Sequence, residues 1–268
     1  MSRNVQQGKD HRSSETNVTS SLRAIKIILF FFLLSFLQTV IAQEIEHSEV
    51  GVIYKRERSL NINLNTDGWG FGYRFGFFKT GYVKRTIDLS FSFMHDLKEQ
   101  KYYNPVDNNA KSFVYGKERN MYSLKILYGK QKDLSNKPYW GGVDIRWLNL
   151  FGFNLAMGKP IYLYVVDRST DNILVTRKYD PDNHTLDVIY GRAPFVNGLD
   201  ELEFYPSISF KTALNVEYGK IPEKTRAIEA GLIVNAYLIP YNIMAYQQPK
   251  YYDISFYVSF QFGKRFNP

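Results

Sequence analysis

Residues 69–77 read WGFGYRFGF, with a ring at every odd position (Trp69, Phe71, Tyr73, Phe75, Phe77) and Gly70, Gly72, Arg74 and Gly76 between them. A repeat of two is the repeat of a β-strand, whose successive side chains point to opposite faces. Here one face is aromatic and the other is glycine plus a guanidinium. Upstream, Leu60, Ile62 and Leu64 alternate with Ser59, Asn61, Asn63 and Asn65, and Thr66-Asp67-Gly68 between the two runs is a tight hairpin signal. Downstream, Ile87, Leu89, Phe91 and Phe93 alternate with Asp88, Ser90 and Ser92.

The same alternation recurs along the chain. Tyr122, Leu124, Ile126 and Tyr128 lie against Ser123, Lys125 and Gly129; Ile208, Phe210, Thr212, Leu214 and Val216 lie against Ser207, Ser209, Lys211, Asn215 and Glu217. Ile228, Ala230, Leu232 and Val234 lie against Glu229, Gly231 and Asn235; Ile254, Phe256, Val258, Phe260 and Phe262 lie against Asp253, Ser255, Tyr257, Ser259 and Gln261. The strand Val143, Ile145, Trp147 against Asp144 and Arg146 slips phase, because Leu148 and Leu150 are apolar and Asn149 falls in line with Trp147. A β-bulge after Trp147, or the end of the strand, is expected there. No segment carries a helical repeat of comparable length, so the chain is all-β.

A soluble sandwich also alternates, but it turns its aromatic face inward and its charged face to water. In this chain the face opposite the apolar one carries charges of both signs, which a membrane barrel pairs in its lumen while its aromatics face lipid. There are 21 Tyr and 20 Phe in 268 residues, and Trp69, Tyr128, Trp140, Tyr218 and Tyr251 gather near strand ends, as interfacial girdles do. A mean hydropathy of -0.32 argues against a helical membrane bundle but not against strands of which half face a polar lumen. The expected fold is an antiparallel transmembrane β-barrel of 8–10 strands. The count depends on whether 161–166 (IYLYVV) and 173–177 (ILVTR) join the wall or project from a loop.

Residues 27–42, IILFFFLLSFLQTVIA, follow Arg23 and Lys26. The run is short of the roughly 20 residues a spanning helix needs and reads as a secretion signal cleaved after Ala42. The expected organisation is a signal peptide over 1–42, a periplasmic N-terminal segment over 43–56 and the barrel over 57–268. With the N-terminus periplasmic, connections 79–84, 130–139 and 219–224 face inward and are short. The outward ones are 66–68, 96–118, 156–204 and 239–250, mostly long, as in outer-membrane barrels.

With the signal peptide, the alternating aromatic strands and the final run YYDISFYVSFQFGKRF on the page, the chain resembles the small outer-membrane β-barrel proteins of Gram-negative bacteria. Its Tyr- and Asn-rich texture is similar to uncharacterised Bacteroidota-type members. The resemblance implies residence in the outer membrane. It also implies contact with outer-membrane lipid and lipopolysaccharide, and handling by the barrel assembly machinery. It implies no activity, because this fold hosts pores, enzymes and scaffolds alike.

Three groups of residues could carry function. The lumen face holds Arg74, Lys125, Arg146 and Lys211 with Asp88, Asp144, Glu217, Glu229 and Asp253. Eight strands leave an interior just wide enough for side chains to fill, so mutual pairing into a plug is favoured over an ion path. Gly70, Gly72 and Gly76 are expected to make room for Arg74. In the longest outer loop, Tyr179, Asp180, Asp182, His184, Tyr190, Arg192 and Phe195 are the exposed binding candidates. Asp180, Asp182 and Asp187 offer hard oxygens that could hold calcium, but Asp-Pro-Asp-Asn over 180–183 is also ordinary turn chemistry, and the turn is the expected reading. His95-Asp96 at the barrel mouth pairs an imidazole with a carboxylate and would suit a hydrolase or acyl-transfer enzyme of the outer leaflet. His47-Ser48-Glu49 cannot converge on one proton path and reads as a solvated tail. No cofactor motif and no nucleic-acid partner is expected, and no specific protein partner is indicated. The leading expectation is a non-enzymatic barrel presenting outer loops, with a narrow pore and an enzyme as alternatives.

Overall fold

The structure is a computed structural model and describes residues 54–267 apart from 81, 106, 108, 136–141, 168–172 and 220. The expected signal peptide, the segment 43–53 with His47, and Trp140 lie outside the described residues.

In chain order the strands are β1 (Arg56–Asn65), β2 (Gly68–Thr80), β3 (Val83–Met94), β4 (Lys101–Tyr102), β5 (Phe113–Val114), β6 (Arg119–Asp133) and β7 (Asp144–Pro160). They continue as β8 (Tyr162–Asp167), β9 (Ile173–Lys178), β10 (Ile189–Arg192), β11 (Glu203–Glu217), β12 (Lys224–Tyr241) and β13 (Lys250–Phe266). The wall is a closed antiparallel barrel in which β1, β2, β3, β6, β7, β11, β12 and β13 each pair with the next, and β13 closes on β1 from Arg56↔Phe266 to Asn65↔Tyr257. The wall therefore has eight strands. The two ambiguous segments, β8 and β9, join β10 in a separate three-stranded sheet. Each is six residues long, short of the roughly 9–11 that cross a bilayer. β7 and β11 also pair directly from Glu203↔Gly158 to Glu217↔Asp144, which leaves no edge for them to enter.

The distribution of polarity is inverted relative to a soluble protein. Phe153, Phe256, Leu60 and Phe151 point outward and are 75%, 63%, 61% and 58% exposed, while Arg74, Asp88 and Glu229 are each 1% exposed inside. Water would not tolerate so continuous an apolar belt on a monomer, whereas hydrocarbon requires it. The fold is a transmembrane barrel. Exposed Trp69 and Tyr251 border the belt at the end carrying the long connections, and Tyr128 and Tyr218 border it toward the other end.

The expected bulge in β7 is absent. Its pairing with β6 runs without a shift from Arg119↔Pro160 to Asp133↔Arg146. Leu148 and Leu150 instead turn inward, where with Leu127, Ala213, Ile233 and Tyr257 they form a buried apolar layer across the lumen. Asn149 consequently faces outward, and its polarity is met locally: Thr212 Oγ1 donates to Asn149 Oδ1 at 2.9 Å, and Trp147 Nε1 donates to Thr212 Oγ1 at 3.1 Å. The phase broke because the lumen is not uniformly polar, so an apolar residue could belong to either face. The glycines of β2 also differ from expectation. A Cβ at Gly76 would lie 2.7 Å from the Lys84 side chain, and one at Gly70 would lie 2.4 Å from Phe91 O of β3. They admit Lys84 and the neighbouring strand, not Arg74.

At the outer end the inward residues Met94, Met121, Ala156, Tyr205, Tyr237 and Tyr241 meet Ile243 and Met244 of the last outward connection. That connection is stitched across the mouth: Ala245 N donates to Gly116 O at 2.6 Å and Glu118 N to Ile243 O at 3.0 Å. Beyond it, Phe113, Ile161, Leu163, Val165, Tyr179 and Ile189 form a second small core under the β10-β8-β9 sheet.

Candidate functional site

Inside the barrel the charges form two ion networks and one hydroxyl network. At mid-depth Arg74 spans Asp88 (2.7 Å) and Glu229 (2.5 Å), and Lys211 approaches the same two carboxylates at 3.7 and 3.3 Å. Neutral donors complete Glu229, with Tyr257 Oη at 2.8 Å and Asn215 Nδ2 at 3.0 Å. The Lys211 ammonium also stands 4.5 Å from the centre of the Tyr257 ring. Nearer the end where β1 begins and β13 ends, Arg146 binds Asp133, Asp144 and Glu217 at 2.8, 2.5 and 3.0 Å. There Glu57 is held by Lys84 at 2.6 Å and by Arg265 at 3.0 Å, and Arg265 also pairs with Glu217. Toward the mouth, Lys125 donates to Ser123 (2.7 Å) and Ser92 (3.1 Å), and Asp253 accepts from Asn235 at 3.2 Å. Of the sequence candidates, seven thus fall into the ion networks and Lys125 and Asp253 into hydroxyl and amide contacts.

Glu57, Lys84, Asp133 and Arg265 were missed by the sequence reading. Parity could have found them, because Glu57 continues the inward series of Ser59 and Asn61, Lys84 that of Asp88, and Arg265 that of Gln261.

The outer loop corrects the expected exposed set. Tyr179 and His184 are 7% and 6% exposed. The Tyr179 hydroxyl accepts the Gly116 N–H at 3.1 Å, and His184 Nδ1 accepts the Asp180 N–H at 3.0 Å. Both side chains hold the cap together because the second core forms under them, a packing that spans distant parts of the chain. Burial lowers the His184 pKa below the usual imidazole value, with the Asp180 charge pulling the other way. The neutral ring that results can accept at Nδ1. Tyr190 is half-buried and its hydroxyl donates to Asp107. Asp182, Arg192 and Phe195 are exposed.

Asp180 uses both oxygens on its own turn, taking Asn183 Nδ2 at 2.7 Å and Asp182 N at 3.1 Å, and these bonds hold its carboxyl below the usual range. Asp182 takes the Tyr246 hydroxyl at 3.2 Å and Asp187 takes that of Thr185. Among the described residues no three His, Asp or Glu side chains converge as a metal ion would need. His95 is exposed, and Asp96 pairs with Lys250 at 2.9 Å. Burial alone would raise the Asp96 carboxyl. The Lys98 N–H and the Lys250 ammonium outweigh it and hold the pKa below the usual range.

No protein-family model matches the chain, and no curated protein does. Among solved structures it is similar to Neisserial surface protein A, with 12% identity over 79% of this chain and 96% of that one, and a TM-score of 0.40. It is also similar to Ail, the attachment invasion locus protein of Yersinia pestis, with 7% identity over 79% and 96%, and a TM-score of 0.38. At these scores neither likeness bears on function, and the fold rests on the pairing and polarity described above.

Proposed function

We propose that the chain is a non-enzymatic outer-membrane protein: a closed, rigid barrel that carries a folded cap for binding or for a structural duty in the envelope. The observation that carries this reading is the filling of the lumen. Seven of its candidate charges pair in two ion networks, Lys125 and Asp253 are held by hydroxyl and amide groups, an apolar layer lies across the middle, and the outward connection over Ile243–Ala245 roofs the mouth. A conducting path would need charges that water can reach, and breaking a buried pair would leave an uncompensated charge at a cost of several kcal/mol. The export signal expected from residues 27–42 and the short inward turns support placement in an outer membrane, with the cap outside and with lipid, lipopolysaccharide and the assembly machinery as its partners. An enzymatic role for His95 would need Asp96 as its partner, and Asp96 is held by Lys250.

The test is conductance. Refolded protein with heat-modifiable gel mobility, inserted in planar bilayers, is expected to stay silent at all voltages. Discrete, reproducible channel steps would overturn the closed-barrel reading in favour of a narrow pore.

A further inference from the structure

The outward face of β7 reads Phe151, Phe153, Leu155, Met157 and then Lys159. Four apolar residues in the belt give way to a lysine just above it, and that lysine is 3% exposed. Its ammonium has three N–H donors. Among the described residues their only acceptor is Pro160 O at 3.5 Å, with the face of Phe195 at 4.9 Å. The other buried lysines are better served. Lys84, Lys117 and Lys211 reach carboxylates at 2.6, 2.7 and 3.3 Å, and Lys125 reaches two serine hydroxyls. A buried ammonium with so little compensation points to a partner supplied from outside.

Lys159 lines a recess of about 190 Å³ together with Lys111, Asn120, Tyr162, Arg192 and Phe195. At ~30 Å³ per water, that is space for a hydrated oxyanion. Three of the lining residues are cations and none is a carboxylate. The nearby Glu201 is engaged by Lys178 at 2.7 Å and by the Tyr162 hydroxyl at 2.6 Å. The walls are tied by backbone contacts: Arg192 N donates to Lys111 O at 3.2 Å and Ala193 N to Tyr162 O at 3.0 Å. Gly191 makes the first approach possible, since a Cβ there would lie 2.8 Å from Lys111 O.

We propose that this recess binds a phosphate-type oxyanion through Lys159, Arg192 and Lys111, and that its occupant is the phosphate of an outer-leaflet lipid headgroup. The level of the recess argues for the lipid. Lys159 lies two residues beyond Met157, a rise of about 7 Å along the strand, so it sits where headgroups meet the belt. Val196 and Leu199, in the connection that follows Phe195, are exposed apolar side chains suited to that boundary. Arg192 offers a planar fork for two phosphate oxygens, and Lys159 a compact point charge on the wall of the recess. The inference rests on the membrane-spanning, closed-barrel reading of the fold.

The test uses the full barrel refolded into phosphatidylcholine vesicles with and without phosphatidic acid, extracted into mild detergent, with bound lipid counted by native mass spectrometry. Wild-type protein is expected to retain phosphatidic acid over phosphatidylcholine, and inorganic phosphate is expected to displace it. Lys159→Gln and Arg192→Gln should each weaken retention about tenfold, the scale of a lost charge-assisted hydrogen bond. Lys159→Arg should keep most of it. Retention unchanged in both glutamine variants, or no preference for phosphatidic acid, would overturn the site. Binding of inorganic phosphate without retention of phosphatidic acid would overturn the lipid as occupant. Each preparation is first checked for heat-modifiable mobility and bilayer silence, so a lost site is distinguished from a misfolded or conducting barrel.

Discussion

Replacing Arg74 with methionine removes the guanidinium that bridges Asp88 and Glu229, with every group 1% exposed. Lys211 stays within 3.7 and 3.3 Å of the two carboxylates and offsets one of their charges, leaving one excess negative charge in a dry interior. Breaking a buried pair by removing one partner costs about 3–5 kcal/mol, and the remaining lysine places the expected loss at ~3 kcal/mol. If the lumen were instead an open aqueous path, the same charges would be screened and the loss would be about 0–1 kcal/mol. The assay is urea unfolding in lipid vesicles, followed by tryptophan emission and gel mobility. With a slope of ~2 kcal/mol per molar urea, the midpoint should fall by about 1.5 M. A second variant, Arg74→Met with Glu229→Met, leaves Asp88 and Lys211 as a balanced pair and should recover part of the loss. A single variant whose midpoint moves by less than ~0.5 M at unchanged slope would refute the account of the lumen as a paired plug.

Three further outcomes are expected. Phe153→Arg, at the middle of the outward face of β7, should cost about 2–4 kcal/mol in a bilayer; a change close to zero in the same urea titration would argue that this face is not in lipid. Leu148→Ala should cost about 2–5 kcal/mol, because the side chain is wholly buried in the apolar layer; an outward Leu148, as the bulge would place it, would make the change nearly silent. The Asp96 carboxyl lies below its unfolded value, so its contribution is full above the ordinary carboxylate range and fades as pH falls through the lower folded value. Amide exchange over residues 96–99 should therefore quicken only in acid, below about pH 4, and Lys250→Met should move that onset upward. An onset unmoved by the substitution would refute the pairing.

The strands and their sidedness were legible because period two is a local property, readable within nine residues at WGFGYRFGF. The even count and the meander order followed from connection lengths, but the choice of eight over ten did not. It turned on β7 and β11 pairing across forty-odd intervening residues. The phase of β7 was misread because Leu148 and Leu150 carry the hydrophobicity of the lipid face while packing inside. In the lumen the residue types were visible, whereas the partners were not: Arg74 meets Glu229 across 155 positions of chain. In the cap the same limit misassigned Tyr179 and His184, whose burial depends on a core assembled from β5, β8 and β10. Lys159 was hidden for a related reason, since a lysine above an apolar run reads as ordinary surface until the folded loop covers it.

The seam between β1 and β13 has a consequence for how the molecule is made. Its ten register pairs join residues about two hundred positions apart, so loop-closure entropy makes it the most expensive contact of the wall to form early. Until it zips, β1 and β13 are both bare edges, each a row of unpaired N–H and C=O groups that would template aggregation in water. In hydrocarbon each such group costs several kcal/mol, so a half-built wall cannot rest there either. Closing the circle and entering the bilayer are therefore coupled, because neither water nor hydrocarbon offers the two bare edges a resting place before they meet.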